Sequence, residues 1–451
     1  MKVAWILSIA IILMTIPSLA RAADPTAAGG PVELSLKRAV DVAISAHGNT
    51  NIRLSGEALK QAQSQAVQAR AALLPDLEGA FSERSQTVNL AAEGLTSIVL
   101  PVPGFTFPRF VGPFTTTDAR LSVQQNVFDF ASIRRFQASK VGVSAAAEEL
   151  DSTAENVAAQ VALAYLAAVR ADADVDTANA NVTLSDAVLT QAVNQKKAGT
   201  GTGIEVTRAK VQLANDRQHL LVAENARRSA HLELLRAMGV PLDTDVLLTD
   251  KLGYVPVDAV TLEEAQAQAL QSRPDLKAQQ QREENARLSA SAVKMERLPS
   301  LAAFGDYGSS GSYLDTSLPT RTYGISVKVP LFDGGRRDAR RTEAASRYRS
   351  EKIRTDDLKQ QIDLDVRLAL DGLRSAEDQV KVARDGLELA DSELTQARRR
   401  YGAGVANSLE VTDAQTRLER ARDNQTQALY NYNVARIDLA QAMGNMRRSI
   451  P

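Results

Sequence analysis

The sequence contains no cysteine and only three histidines, His47, His219 and His231. The first absence removes disulfides, thiolate zinc sites, iron–sulfur clusters and cysteine nucleophiles together. No two histidines stand four apart, the spacing at which one helix face presents two imidazoles to a zinc ion. Aromatic residues make up 4% of the chain, few for an enzyme built around a large core. Excess charge of one sign is missing too. The 53 Lys and Arg against 54 Asp and Glu leave no strong field for nucleic acid or a polyanionic substrate. Beyond the first residues, no window offers the ~20 continuous apolar residues of a membrane-spanning helix. These absences argue against catalysis, cofactors, metals and nucleic-acid binding.

What is present begins with an address. Lys2 precedes an apolar run from Val3 to Leu19, and Ala20-Arg21-Ala22 supplies a small-residue exit. That order describes a secretory signal peptide over residues 1–22, and the mature chain is expected to be exported. A transmembrane anchor is the alternative, against which Pro17 and the A-x-A pattern count. No cysteine follows the cleavage site, so no lipid anchor is expected.

Internal repetition organises the rest. Ala198-Gly199-Thr200-Gly201-Thr202-Gly203-Ile204-Glu205-Val206-Thr207 returns 205 residues later as Ala403-Gly404-Val405-Ala406-Asn407-Ser408-Leu409-Glu410-Val411-Thr412. Arg236-Ala237-Met238-Gly239 returns as Gln441-Ala442-Met443-Gly444, Val127-Phe128-Asp129 as Leu331-Phe332-Asp333, and Leu74-Pro75 as Leu298-Pro299. Leu36 and Ala39 correspond to Leu262 and Ala265 in the same order. The expected division is a first repeat over 23–240, a linker over 241–261, a second repeat over 262–445 and a short tail over 446–451.

Each half reads as helix, strand pair, very long helix, turn, helix. Ala131 to Lys197 and Arg336 to Arg400 contain no proline, and a ~67-residue helix spans ~100 Å. Shorter helices are expected at Leu36–Leu73, Ile204–Met238, Leu262–Arg297 and Leu409–Met443, two of them stacking end to end along each long one. In the last helix Val411, Ala414, Leu418, Ala421, Gln425, Ala428, Tyr432, Ala435, Leu439 and Ala442 alternate steps of three and four. An average step of 3.5 is the coiled-coil signature, and alanine permits close approach. The matching first-half positions include two polar exceptions, Asp216 and Arg227, which leave an ordinary amphipathic bundle open.

Four segments read as strands, about 77–89, 115–128, 301–313 and 321–331. Ala119, Leu121, Val123 and Val127 share one face of the second, and Tyr323, Ile325, Val327, Val329 and Leu331 one face of the fourth. Such period-two alternation gives one apolar and one wet face. Twelve of the nineteen aromatics beyond Trp5 fall within Leu77–Phe130 and Leu301–Phe332. Aromatics around apolar-out, polar-in strands suit the two interfaces of an outer-membrane barrel; a small soluble β-subdomain is the alternative. Four strands cannot close, and open edges in lipid leave backbone groups unpaired. Two chains supply eight strands and a filled bore, whereas three supply twelve, wide enough for a water-filled pore.

The ordered set of landmarks resembles the TolC-like outer membrane efflux protein family over essentially the whole mature chain. The carriers are the tandem halves, the Leu-Pro before each first strand, the Phe-Asp before each long helix, and the two tip motifs. The resemblance implies a mainly α fold with a small membrane β part. In it, a tandem-duplicated coiled-coil helical barrel carries four strands per chain into a 12-stranded trimeric barrel. It also implies a homotrimer in outer-membrane lipid, serving as passive exit duct for an inner-membrane transporter through a periplasmic adaptor. Adaptor docking then falls to tip turns 198–203 and 401–407 with their flanks: Gly199, Gly201, Thr202, Gly203, Ile204, Glu205, Tyr401, Gly402, Gly404, Asn407, Leu409 and Glu410. Glutamate stands at 205 and 410 where the family usually has aspartate. Ala406 stands where the best-known channel has an arginine, so a gating ion pair built on that arginine is not implied.

Two readings stay open at the last tip. Glu410 and Asp413 lie on neighbouring positions of one helix face and match acidic residues that ring the closed entrance of the resembling channel. Asn407-x-x-Glu410 and Thr202-x-x-Glu205 also read as capping boxes. Asp413 has Arg208 as its counterpart, so it is not a repeat-wide cap. Gly199-x-Gly201-x-Gly203 lacks the preceding strand and following Gly-Lys-Ser of a phosphate loop, and Arg398-Arg399-Arg400 suits a helix C-terminus. A periplasmic adaptor, with one helical hairpin between split β segments, and an exported coiled-coil rod are the competing classes. The adaptor does not explain two hairpins, nor the rod four matched strands.

Overall fold

The structure is a computed structural model that describes residues 32–98, 103–104, 106–258, 260–313, 315–406 and 408–449. The expected signal peptide and Asn407 lie outside these residues. The first half contains β1 (Val32–Leu34), α1 (Leu36–Ile44), α2 (Thr50–Ala71), β2 (Asp76–Val88), β3 (Val111–Phe128), α3 (Phe130–Lys197) and α4 (Gly203–Met238). After β4 (Val246–Leu248) come α5 (Leu262–Ser272), α6 (Pro274–Met295), β5 (Ser300–Gly311), β6 (Leu318–Lys328), α7 (Arg336–Gly402), α8 (Ser408–Ala442) and α9 (Met446–Ser449).

The long helices start where the repeated Phe-Asp pair expects them, and the aspartate is the reason. Asp129 caps α3, its carboxylate accepting from the Ala131 N–H at 3.0 Å. At α7 the N-cap is Gly335 and Asp333 stands two residues before it, accepting from the Arg337 N–H at 3.1 Å and from Arg337 Nε at 2.7 Å. That guanidinium holds the Asp333 carboxyl below its usual range. The helices then run for 68 and 67 residues, ~100 Å each.

Two of the expected short helices are broken. Leu36–Leu73 divides into α1 and α2 across residues 45–49, with Asn49 capping α2 through the Asn51 N–H at 2.8 Å. Leu262–Arg297 divides at Arg273, because Pro274 cannot continue the preceding helix and opens α6 instead. Each break receives the glycine that ends the opposite helix. Gly239 (φ +75°) lies against Gly48, and Gly444 (φ +68°) against Arg273; a Cβ on either would stand 2.7 or 2.8 Å from backbone atoms. Residues 241–261 also contain β4, which pairs in parallel with β1 (Val32↔Val246).

The wall is four helices wide at both levels. Nearest the sheet the order is α2, α3, α6, α7, and towards the tips α4, α3, α8, α7. Thus α3 packs on α6 and α8 of the other half. The seam expected on α8 is buried at Val411, Ala414, Leu418, Ala428, Tyr432, Leu439 and Ala442. Midway along, Tyr165 is buried, its hydroxyl 2.8 Å from the Leu34 carbonyl and 2.9 Å from an Asp250 carboxylate oxygen.

Candidate functional site

The candidate functional surfaces lie at the two ends of the helices. At one end β2, β3, β5 and β6 form an antiparallel sheet in that order. The register sets Phe81 opposite Ala119, Leu121 opposite Tyr307, and Gly305 opposite Tyr323. One face therefore carries Leu77, Phe81, Leu121, Val123, Tyr307, Tyr323, Ile325 and Val327, all exposed, with Tyr323 at 81%. The opposite face is polar. There Arg120 reaches Asp118 at 2.9 Å on its own strand, Asp306 on β5, and Thr320 Oγ1 at 3.1 Å on β6. Such a sheet leaves an apolar face that covers no core, unlike a strand layer on a soluble core.

At the other end stand two hairpin tips. The first closes with Gly199 at φ +76° and hydrogen bonds from the Thr200 and Gly201 N–H groups to the Gln195 carbonyl, both 3.0 Å. Thr202 then caps α4, and Glu205 accepts from the Thr202 N–H at 2.7 Å. The capping-box reading of Glu205 describes what it does. Gly203 is the first residue of α4 and Ile204 is exposed. The second tip turns at Gly404 (φ +75°), just past Tyr401 and Gly402 at the end of α7. Leu409 is exposed at the start of α8.

Tyr401 joins the tips. Its ring is buried against Leu394, Ala397, Val411, Ala414 and Leu418, and its hydroxyl donates to Gln195 Oε1 at the end of α3. Burial, with the Glu205 carboxylate adding to it, pushes the Tyr401 phenol up. Glu410 pairs with Arg400 Nε at 2.9 Å, which ties the start of α8 to the end of α7; Asp413 is exposed. Gln195 and Arg400 were not among the expected tip residues, and neither was exposed Val405. The Arg398–Arg400 run marked Arg400, but nothing local to Gln195 marks its partner.

The model of the Outer membrane efflux protein family matches residues 47–240 and 266–445, once over each half. The chain belongs to this family. Among its curated relatives, the pyoverdine export outer membrane protein OpmQ of Pseudomonas putida is 24% identical over 416 residues, covering 89% of this chain and 84% of that one. The alkaline protease secretion protein AprF of Pseudomonas aeruginosa is 24% identical over 323 residues, 70% of this chain and 67% of that one. The solved CmeC outer membrane channel of Campylobacter jejuni superposes with a TM-score of 0.79 at 16% identity, over 91% of this chain and 85% of that one. This family member is an outer-membrane exit duct of a Gram-negative bacterium, and the proteins it resembles are channels, not enzymes.

Proposed function

We propose that three copies of this chain close into one channel, with the sheets forming a 12-stranded barrel and the helices a tunnel below it. The observation that carries this reading is the pair of free sheet edges, β2 and β6. With four antiparallel strands, β6 of one copy and β2 of the next run antiparallel, so cyclic closure satisfies both edges without a change of pairing. The helical wall has matching unpartnered margins. Leu54, Val67, Val211 and Leu221 are exposed along α2 and α4, and Ile353, Leu368, Val382 and Leu389 along α7. Tyr323, Ile325 and Val327 meet outer-membrane lipid, and the polar face with Arg120 lines the bore.

In this reading residues 1–22 direct export, and 23–240 and 262–445 are two copies of one ancestral unit. The tips, ~100 Å from the sheet by helix rise, dock a periplasmic adaptor that connects to an inner-membrane transporter. Exposed Ile204, Val405 and Leu409 are the apolar contacts of that docking, and Gly199, Gly201, Gly203 and Gly404 keep the turns narrow. Glu410 and Asp413, three times over, line the entrance and favour cations. Sedimentation or light scattering in mild detergent tests the assembly. A mass of three chains is expected, and a monodisperse monomer with full β signal refutes it.

A further inference from the structure

The seam of α4 carries an acid where its counterpart on α8 carries a methyl group. Asp216 occupies the position that matches Ala421, and it is only 3% exposed. Its Oδ1 accepts from Gln212 Nε2 at 2.9 Å, while Oδ2 has no hydrogen-bond partner among the described residues. A buried carboxylate oxygen without a donor is costly unless something supplies one.

Asp216 borders a recess of about 660 Å³ between α3, α4 and α8, whose further walls include Glu419 and Asp423 from α8 and Asp174 from α3. The neighbouring cations already have partners or stand at the rim. Arg170 lies 3.6 Å from Asp174 and stacks 5.1 Å over Tyr430, and Arg422 donates to Asn181 at 3.3 Å. Arg420 and His219 complete the rim, so four carboxyls stand among three guanidiniums and one imidazole. Burial, then the Asp216 and Asp423 charges, push the Glu419 carboxyl up against the opposing pull of His219 and Arg422. Asp174 is raised by burial as well.

Metal coordination does not fit this geometry. Among the described residues no three acidic or imidazole groups converge on one point as metal ligands. The space is also some twenty times the ~30 Å³ share of a water molecule. Ala178 and Ala223 add apolar wall between the acids. We propose that this recess binds an organic cation, an ammonium-bearing aliphatic chain, with Asp216 and Glu419 as its anchoring carboxylates. An ammonium donates the hydrogen bond that Asp216 lacks, its charge faces the Asp216 and Glu419 carboxyls, and its alkyl part lies along the alanine methyls.

Equilibrium dialysis of the full-length protein in detergent with labelled spermidine, at pH 7 and low salt, tests the proposal. Saturable binding near one equivalent per chain is expected. It weakens by about tenfold in Asp216→Asn and again in Glu419→Gln, the loss expected for a charge-assisted hydrogen bond. Both replacements preserve shape, and an unchanged elution volume shows that either variant is folded. Binding also weakens as pH falls and Glu419, raised above its ordinary value, takes up a proton among His219 and Asp216 on α4, Arg170 and Asp174 on α3, and Arg420, Arg422 and Asp423 on α8. The Glu410→Gln, Asp413→Asn double variant retains full binding, which separates this recess from the proposed entrance ring. Non-saturable uptake overturns the proposal, as does unchanged affinity in both recess variants or loss of binding in the double variant. Stoichiometric displacement by equimolar Mg²⁺ also overturns it in favour of a metal site.

Discussion

Tyr401 offers the sharpest test of how the two tips are joined, because two replacements remove different parts of one contact. Tyr401→Phe deletes only the hydroxyl that donates to Gln195, a net cost of about 1 kcal/mol. Gln195 is half-buried, so water can replace the lost donor and the cost stays near that value. Tyr401→Ala empties the site of a ring that is 5% exposed among Leu394, Val411 and Leu418. Aromatic-to-alanine changes in cores cost about 3–5 kcal/mol, and a site at the end of a hairpin relaxes easily, so the lower end, about 3 kcal/mol, applies. These costs fall on local opening of the tips. Amide exchange read by mass spectrometry should therefore accelerate about fivefold in Tyr401→Phe and ~100-fold in Tyr401→Ala. The acceleration should appear in residues 194–201 as well as 401–412, while the strands exchange as before. Acceleration confined to 401–412 would refute the reasoning, since it would mean that Tyr401 stabilises its own hairpin without holding α3.

Further outcomes follow from the same structure. Gly239→Ala puts a Cβ 2.7 Å from the Gly48 carbonyl oxygen at φ +75°, so it should cost more than the ~1–2 kcal/mol of the left-handed backbone alone. Gly404→Ala, at the same φ with nothing within 4 Å, should cost only that amount, and thermal unfolding distinguishes the two. Burial raises the Glu419 carboxyl above its ordinary 4.5. Its stabilising contribution is therefore complete below that value and is lost as pH rises through the higher folded one. Glu419→Gln should accordingly be more stable than the parent at pH 7 and match it near pH 4 in denaturant titrations. In planar bilayers, the Glu410→Gln, Asp413→Asn double variant should lose cation preference and divalent block; if both are unchanged, the ring is refuted and the ion pair with Arg400 is what Glu410 provides.

Periodicity accounts for most of what was legible without coordinates. The 3.5-residue step on α8 named the buried face because each seam residue repeats its relation to the next turn. Alternation on β3 and β6 named the apolar face because register leaves no other choice. The duplicated Phe-Asp and tip motifs located the helix starts and turns, since caps and turns are chemistry of adjacent residues. Pro274 was equally local, yet the helical periodicity on both sides of it hid the break. The first break rests on Gly48 and Asn49, whose significance comes from Gly239 arriving against them.

What the sequence by itself determined is thus the long helices, the four strands of the sheet and the faces, all consequences of spacing along one chain. The tertiary structure alone decided that α3 packs against α6 and α8 of the other half, and that Tyr401 meets Gln195 across 206 residues. It alone decided that Arg400 meets Glu410, and that Asp216 is buried beside a recess instead of facing water. Asp216 shows the physical reason. A polar residue at a seam position is visible as an exception to the period, but its partners come from helices distant in the chain. Their approach is set by the packing of whole helix faces, to which no local spacing refers.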